Sequence, residues 1–222
     1  MKVSSDYYSH IGHEHVVSGK GSQDHALAVS SDGVSAIVIA DGCSDGRETD
    51  MGARIVTFST MSSVLQSYAL DISDGEVFKK SVVSLSKTVR EDSAILLSLL
   101  PKDLLATRVH AVITEAFAYV HMEGDGVIAW QDVTGKITML RYDWAGNTPC
   151  YPSYDFDCFE TFVKVQSSYE EQGLTEEIVE WTQEGGFVPK SVSCLPINEG
   201  IHGITHQWEH EEIKSLSVVS VM

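Results

Sequence analysis

The period of apolar and polar positions changes several times along this chain. Residues 24–30 alternate loosely, and residues 34–40 form a short, nearly continuous apolar run rich in β-branched side chains. Such runs predict strands, the second buried on both faces, with Ser31-Asp32-Gly33 as the turn between them. From about 49 to 70 the period becomes helical, carried by Met51, Ile55, Phe58, Met61 and Leu65. A turn at 71–75 precedes a second expected helix from about 77 to 100, stopped by Pro101. Strand character returns at 106–114, 116–122, 127–133 and 136–142, with breaks at 123–126 and 132–135. Strands this closely spaced predict antiparallel pairing rather than crossover units. Residues 147–159, with two prolines and two cysteines, read as a loop, 170–183 as a short acidic helix, and 216–222 as a last strand. No repeat or low-complexity linker divides the 222 residues, so one domain is expected.

Composition narrows the partners. A hydrophobic fraction of 43% and a charged fraction of 21% are those of an ordinary globular protein. The net charge of −17 argues against nucleic acid, whose binding depends on Lys and Arg neutralising phosphates. A small phosphate-bearing substrate remains compatible if divalent cations stand between it and the carboxylates. The four cysteines form no C-x-x-C pair. The first residues lack the apolar core of a signal peptide, and no apolar run reaches the ~20 residues of a membrane span. A cytoplasmic protein with reduced thiols and no membrane partner is expected.

The most suggestive local feature is the buried strand 34–40 running straight into Asp41-Gly42. A carboxylate at a strand end is rigidly placed, as a metal site requires, and a following glycine allows close approach of the backbone. Asp-Gly is also one of the commonest turn dipeptides, so by itself it fits a plain turn equally well. Asp24, Asp45 and Asp125 have comparable settings, the last in Gly124-Asp125-Gly126.

The order of these pieces resembles a bacterial branch of the protein phosphatase 2C family. Gly12 and His15 followed by Gln23-Asp24 resemble its opening motif. Ala40-Asp41-Gly42, with Asp50-Met51-Gly52-Ala53 after it, is similar to the second motif, and Asp103 to Thr107 to a strand-opening threonine motif. Gly124-Asp125-Gly126 resembles the family's hairpin and Asn147-Thr148-Pro149 the loop beyond it. The resemblance implies an α+β fold of two packed, mostly antiparallel sheets flanked by helices, an α-β-β-α sandwich. It implies hydrolysis of phosphoserine or phosphothreonine in proteins by a water bridging two Mn²⁺ or Mg²⁺ ions. By the same carry-over Asp41 would bridge the metals, the Gly42 carbonyl would ligate one, Asp24 would hold metal-bound waters, and Asp125 would serve a weaker third site.

Three departures stand beside it. Gly19 occupies the place of a phosphate-gripping arginine, which leaves Lys20 or His15 as candidate phosphate contacts, although lysine lacks the bidentate fork. Cys43 stands where some members have a histidine, and a buried structural role is expected for it. The family places a Ser- or Thr-Asp-Gly after a late apolar strand and a further aspartate beyond. Residues 216–222 resemble that strand, so a single domain over 1–222 stopping short of the last metal-binding motif is expected. A non-catalytic phosphatase-like binding module is therefore the alternative function. His202, His206 and His210 recur every four residues, but Gly200 and Gly203 make a poor helix start, and surface histidines are expected there rather than a zinc site. No G-x-S-x-G elbow or phosphate-binding G-x-x-x-x-G-K-[ST] loop occurs.

Overall fold

The computed structural model describes residues 3–8, 11, 16, 17, 19, 21–44, 48–155, 159–170, 173–182 and 186–220. Strands β1 (His25–Ser31) and β2 (Val34–Ala40) pair antiparallel, and β3 (Arg108–Thr114) and β4 (Ala118–Glu123) continue the same sheet. The chain then crosses to a second sheet of β5 (Gly126–Asp132), β6 (Ile137–Trp144), β7 (Leu174–Thr182) and β8 (Gly186–Leu195). It returns once to each sheet, as β9 (Ile204–Trp208) beside β4 and β10 (Ile213–Val219) beside β5. The orders are β1-β2-β3-β4-β9 and β10-β5-β6-β7-β8, with every pair antiparallel. This is the expected α+β class of two packed sheets with flanking helices.

Between the sheets Val109, Val120 and Met122 meet Ile128, Leu140 and Val218. On the outer face of the first sheet Val34, Val38 and Val112 meet α1 (Thr49–Ala69) and α2 (Gly75–Leu96) through Met61, Val64, Phe78 and Val82. Burial on both faces explains why 34–40 is apolar at nearly every position. Among the described residues no helix is long and apolar enough to cross a membrane.

Helix α1 buries only part of its expected apolar stripe, Ile55 and Met61. Phe58 is 57% exposed and Met51 and Leu65 also face solvent, while Gly52, Ala53, Ser59, Thr60, Ser63 and Ser67 are buried. Small side chains let the helix approach the sheet and α2 closely. The hydroxyls of Ser59 and Ser63 are satisfied locally, donating to the carbonyls of Val56 and Ser59 at 3.1 and 2.7 Å, so burying these two carries little desolvation penalty. Ser67 donates to Ser81 of α2 at 2.9 Å.

The last third departs further from expectation. The acidic helix expected at 170–183 is the strand β7, in which Leu174, Glu176, Ile178 and Glu180 share one face and β6 and β8 flank it. Its glutamates suggest helix, but ladder pairing overrides that weak preference. The loop expected at 147–159 contains a 3₁₀ turn, Pro152–Asp155, and ends where helix α3 (Phe159–Gln166) begins. His206 is not a surface histidine: it sits half-buried on β9, its Nε2 2.7 Å from the Tyr142 hydroxyl.

A layer of charge lies under α2. Arg108 pairs with Glu123 across the β3–β4 register and donates to Ser86 Oγ at 2.6 Å, while Arg90 donates to the Pro152 carbonyl at 3.0 Å. Both arginines are almost fully buried. His121 lies in the same layer, and burial pushes it down to about 4 against the pull of Glu123. It is therefore neutral when folded, and the unfolded chain takes up its proton first as pH falls below its usual value. Stability from this source is full above about pH 6.5 and drains away toward about pH 4. The His121→Gln protein, which cannot titrate there, should lose about 3 kcal/mol less than wild type between about pH 7.5 and about pH 4.5. Urea unfolding at the two pH values measures the difference.

Candidate functional site

Two chain features converge at one end of the sandwich. β2 runs directly into Asp41, and the crossing from β4 to β5 passes through Gly124-Asp125, at the seam between the sheets. Asp41 is locked by backbone rather than by its own carboxylate. Its N–H donates to Thr107 Oγ1 at 3.0 Å and its carbonyl accepts from the Thr107 N–H at 2.9 Å. The Thr107 hydroxyl lies 2.7 Å from Ser220 Oγ, which ties the end of β10 to the same point. On the other side the Gly42 N–H donates to the Gln23 carbonyl at 3.1 Å, and Gln23 Nε2 donates to Thr49 Oγ1 at 2.7 Å. Asp24 follows Gln23 and is thereby brought beside Asp41.

The two glycines are required by close approach. A Cβ on Gly42 would lie 2.7 Å from the backbone oxygens of both Gln23 and Thr49. Gly124 has a φ of +110°, and a Cβ there would meet Thr107 Cγ2 at 2.7 Å. Gly42→Ala is therefore expected to cost about 2 kcal/mol and to weaken divalent binding, because backbone on both sides must move. Thermal unfolding and Mn²⁺ calorimetry read the two effects.

Electrostatically the site holds more negative charge than it can solvate. Burial, then a hydrogen bond with Asp24 and the charges of Asp24 and Asp125, pushes the Asp41 carboxyl up to about 8. Asp125 is pushed up to about 6, chiefly by burial, with Asp143 adding to it. Oδ1 of Asp41 and Oδ1 of Asp125 are both buried without a hydrogen-bond donor. Buried acceptors without donors are what a cation would satisfy, so these residues fit a divalent ion. Among the described residues no three His, Cys, Asp or Glu side chains converge tightly enough to hold a metal unaided. Asp24 and Asp41 open on a cleft of about 230 Å³ also lined by Tyr8, Ile39, Val219 and Ser220.

Asp24, Asp41, Gly42 and Asp125 are thus brought to one place. His15 and Lys20, expected at the phosphate, and Asp45 lie outside the described residues. Cys43 is half-buried rather than buried, and its thiol hydrogen-bonds with the Tyr151 hydroxyl, which burial and then this contact push up. His25, next to Asp24, turns away: its Nδ1 is 2.5 Å from Thr57 Oγ1 on α1. Tyr8 and Ser220 were beyond sequence reasoning, since nothing in their neighbours along the chain places them against Asp41.

The family model described as Protein phosphatase 2C matches residues 11–143, more than half of the chain. No curated protein matches. One solved structure, described as "The bacterial stressosome: a modular system that has been adapted to control secondary messenger signaling", is 14% identical over 55% of this chain and 68% of its own, with a TM-score of 0.36. That likeness is too distant to bear on chemistry.

Proposed function

The chain belongs to the protein phosphatase 2C family, and from that premise we propose that it is a Mn²⁺- or Mg²⁺-dependent protein serine/threonine phosphatase. The observation that carries the proposal is Asp41, a backbone-locked, buried carboxylate with a donor-less oxygen, hydrogen-bonded to Asp24 at the edge of a cleft and within electrostatic reach of Asp125. When bound, two divalent ions would offset charge on the phosphoryl oxygens and lower the pKa of a water. Asp41 and the Gly42 carbonyl would hold them, with Asp125 serving a weaker third site. Asp24 would accept hydrogen bonds from ordered water and aim it into the cleft. Ile39, Val218 and Val219 supply an apolar wall, which keeps bulk water from one side. A phosphoserine or phosphothreonine protein is the proposed substrate, in the cytoplasm, with neither nucleic acid nor membrane as partner. Residues 1–222 are taken as one domain, in keeping with the core shared by both sheets.

Because burial and the neighbouring Asp24 and Asp125 push the Asp41 carboxyl up to about 8, it carries a proton at neutral pH that binding of the ion should expel. About one proton per protein is expected to leave near pH 7. Calorimetry of Mn²⁺ binding in buffers of different ionisation enthalpy measures it; identical heats in all buffers would mean that Asp41 is already ionised.

Mn²⁺-dependent hydrolysis of p-nitrophenyl phosphate by wild type and by Asp41→Asn tests the activity itself. Turnover that needs metal and disappears in the variant supports a phosphatase. Absence of turnover in both would favour the second proposal, a phosphatase-like module that binds phosphoproteins without hydrolysis. Gly19 and Cys43, which replace residues the family uses, speak for that alternative.

A further inference from the structure

A second cavity, of about 190 Å³, opens beside Glu123, the last residue of β4. Its walls are largely apolar and aromatic: Tyr151, Tyr154, Phe159 and Ile201. Its acidic side chains are Glu123 and Asp155, with His202 also lining it. None of these residues belongs to the metal site, yet two adjoin it. Glu123 immediately precedes Gly124-Asp125, and the Tyr151 hydroxyl meets Cys43, two residues after Asp41.

We propose that this cavity binds a basic side chain, arginine above all, that lies near the phosphorylated residue of the substrate. The proposal rests on the phosphatase assignment and names the substrate class it would select. An arginine suits both halves of the lining. Its aliphatic stem packs on Ile201 and Phe159, and its guanidinium stacks on tyrosine while donating to a carboxylate. Glu123 is already paired with buried Arg108, which fixes its position in the wall. Asp155 is the available acceptor. Its side chain is 59% exposed, and its pairing with half-exposed Lys87 at 3.2 Å is of the solvent-screened kind that holds a carboxylate weakly. Arg90, bonded to the Pro152 carbonyl, stands behind the wall and supports the turn that carries Asp155. The net charge of −17 favours basic partners at longer range, so selection by the cavity must be separated from attraction by the whole protein.

Short phosphoserine peptides, in which one arginine is walked along the flanking positions, provide the test. Each is compared with its norleucine counterpart by fluorescence anisotropy, with Mn²⁺ present. At one position arginine should bind about tenfold tighter than norleucine, and Asp155→Asn and Phe159→Ala should each reduce that ratio to about twofold. Asp71→Asn, the same charge change at the far end of α1, should leave the ratio as it is. No arginine preference at any position, or a preference that survives both cavity substitutions, overturns the proposal. Hydrolysis of p-nitrophenyl phosphate, which has no flanking residue, reports separately on whether the protein is a phosphatase.

Discussion

Replacing Asp41 by Asn should make the cation-free protein more stable and, in the same step, inactive. The carboxyl is pushed up to about 8, so the folded state holds its proton more tightly than the unfolded chain does. A raised carboxyl of this kind subtracts stability as pH rises from its ordinary value, near 3.8, toward about 8. Asparagine is similar in shape and cannot ionise, so that penalty disappears. The gain should be about 3 kcal/mol at neutral pH with chelator present, and close to zero near pH 4, where the unfolded carboxyl is protonated as well. Urea unfolding at the two pH values reads both. The same substitution removes the donor-less oxygen that a cation would satisfy, and Mn²⁺-dependent turnover should fall about a thousandfold or more. Unchanged Mn²⁺ affinity in calorimetry would remove Asp41 from the metal site. A stability gain joined to loss of metal binding is the signature of a residue kept for function.

Glu123→Gln should be the most destabilising conservative change in the molecule. Arg108 is 1% exposed and pairs with Glu123 beneath α2, with Arg90 in the same layer. Burial alone would raise the Glu123 carboxyl, but the charge of Arg108, with Arg90 adding to it, outweighs burial and holds it low. Removing the negative charge leaves a buried guanidinium uncompensated, a loss of about 3–5 kcal/mol. Replacing both partners, as Arg108→Met with Glu123→Leu, should recover most of that, because the pair's attraction and its desolvation largely cancel. A double-mutant cycle in denaturant measures the coupling. A small effect of Glu123→Gln would mean that water reaches Arg108.

The first half of the molecule was largely legible because its signals are local. Val34 to Ala40 reads as a buried strand, Asp41-Gly42 closes it, and Gly124-Asp125-Gly126 marks the crossing between sheets. The helix at 49–70 was legible in extent but only partly in orientation, since Ile55 and Met61 of its stripe are buried while Phe58 is not. The rule that large apolar side chains face inward fails where serine and alanine are needed for close packing, and α1 exposes Phe58 for that reason. Strands β7 to β9 were less legible still, since the alternation of Leu174, Glu176, Ile178 and Glu180 is half acidic and acquires meaning only between β6 and β8. Nothing local announces that His206 will meet Tyr142, which is 64 residues away.

The strand ends, the glycines that allow close backbone approach and the acidic residues placed there are local properties of the chain. Turn chemistry and short-range periodicity specify these without help from distant parts of the chain. The tertiary structure decided everything that depends on juxtaposition. It brought Asp24 against Asp41, tied Thr107 and Ser220 to the same strand end, and closed an aromatic cavity around Asp155. It also decided the charge states, because the shifts of Asp41 and His121 come from burial, and burial is a property of the packed sheets.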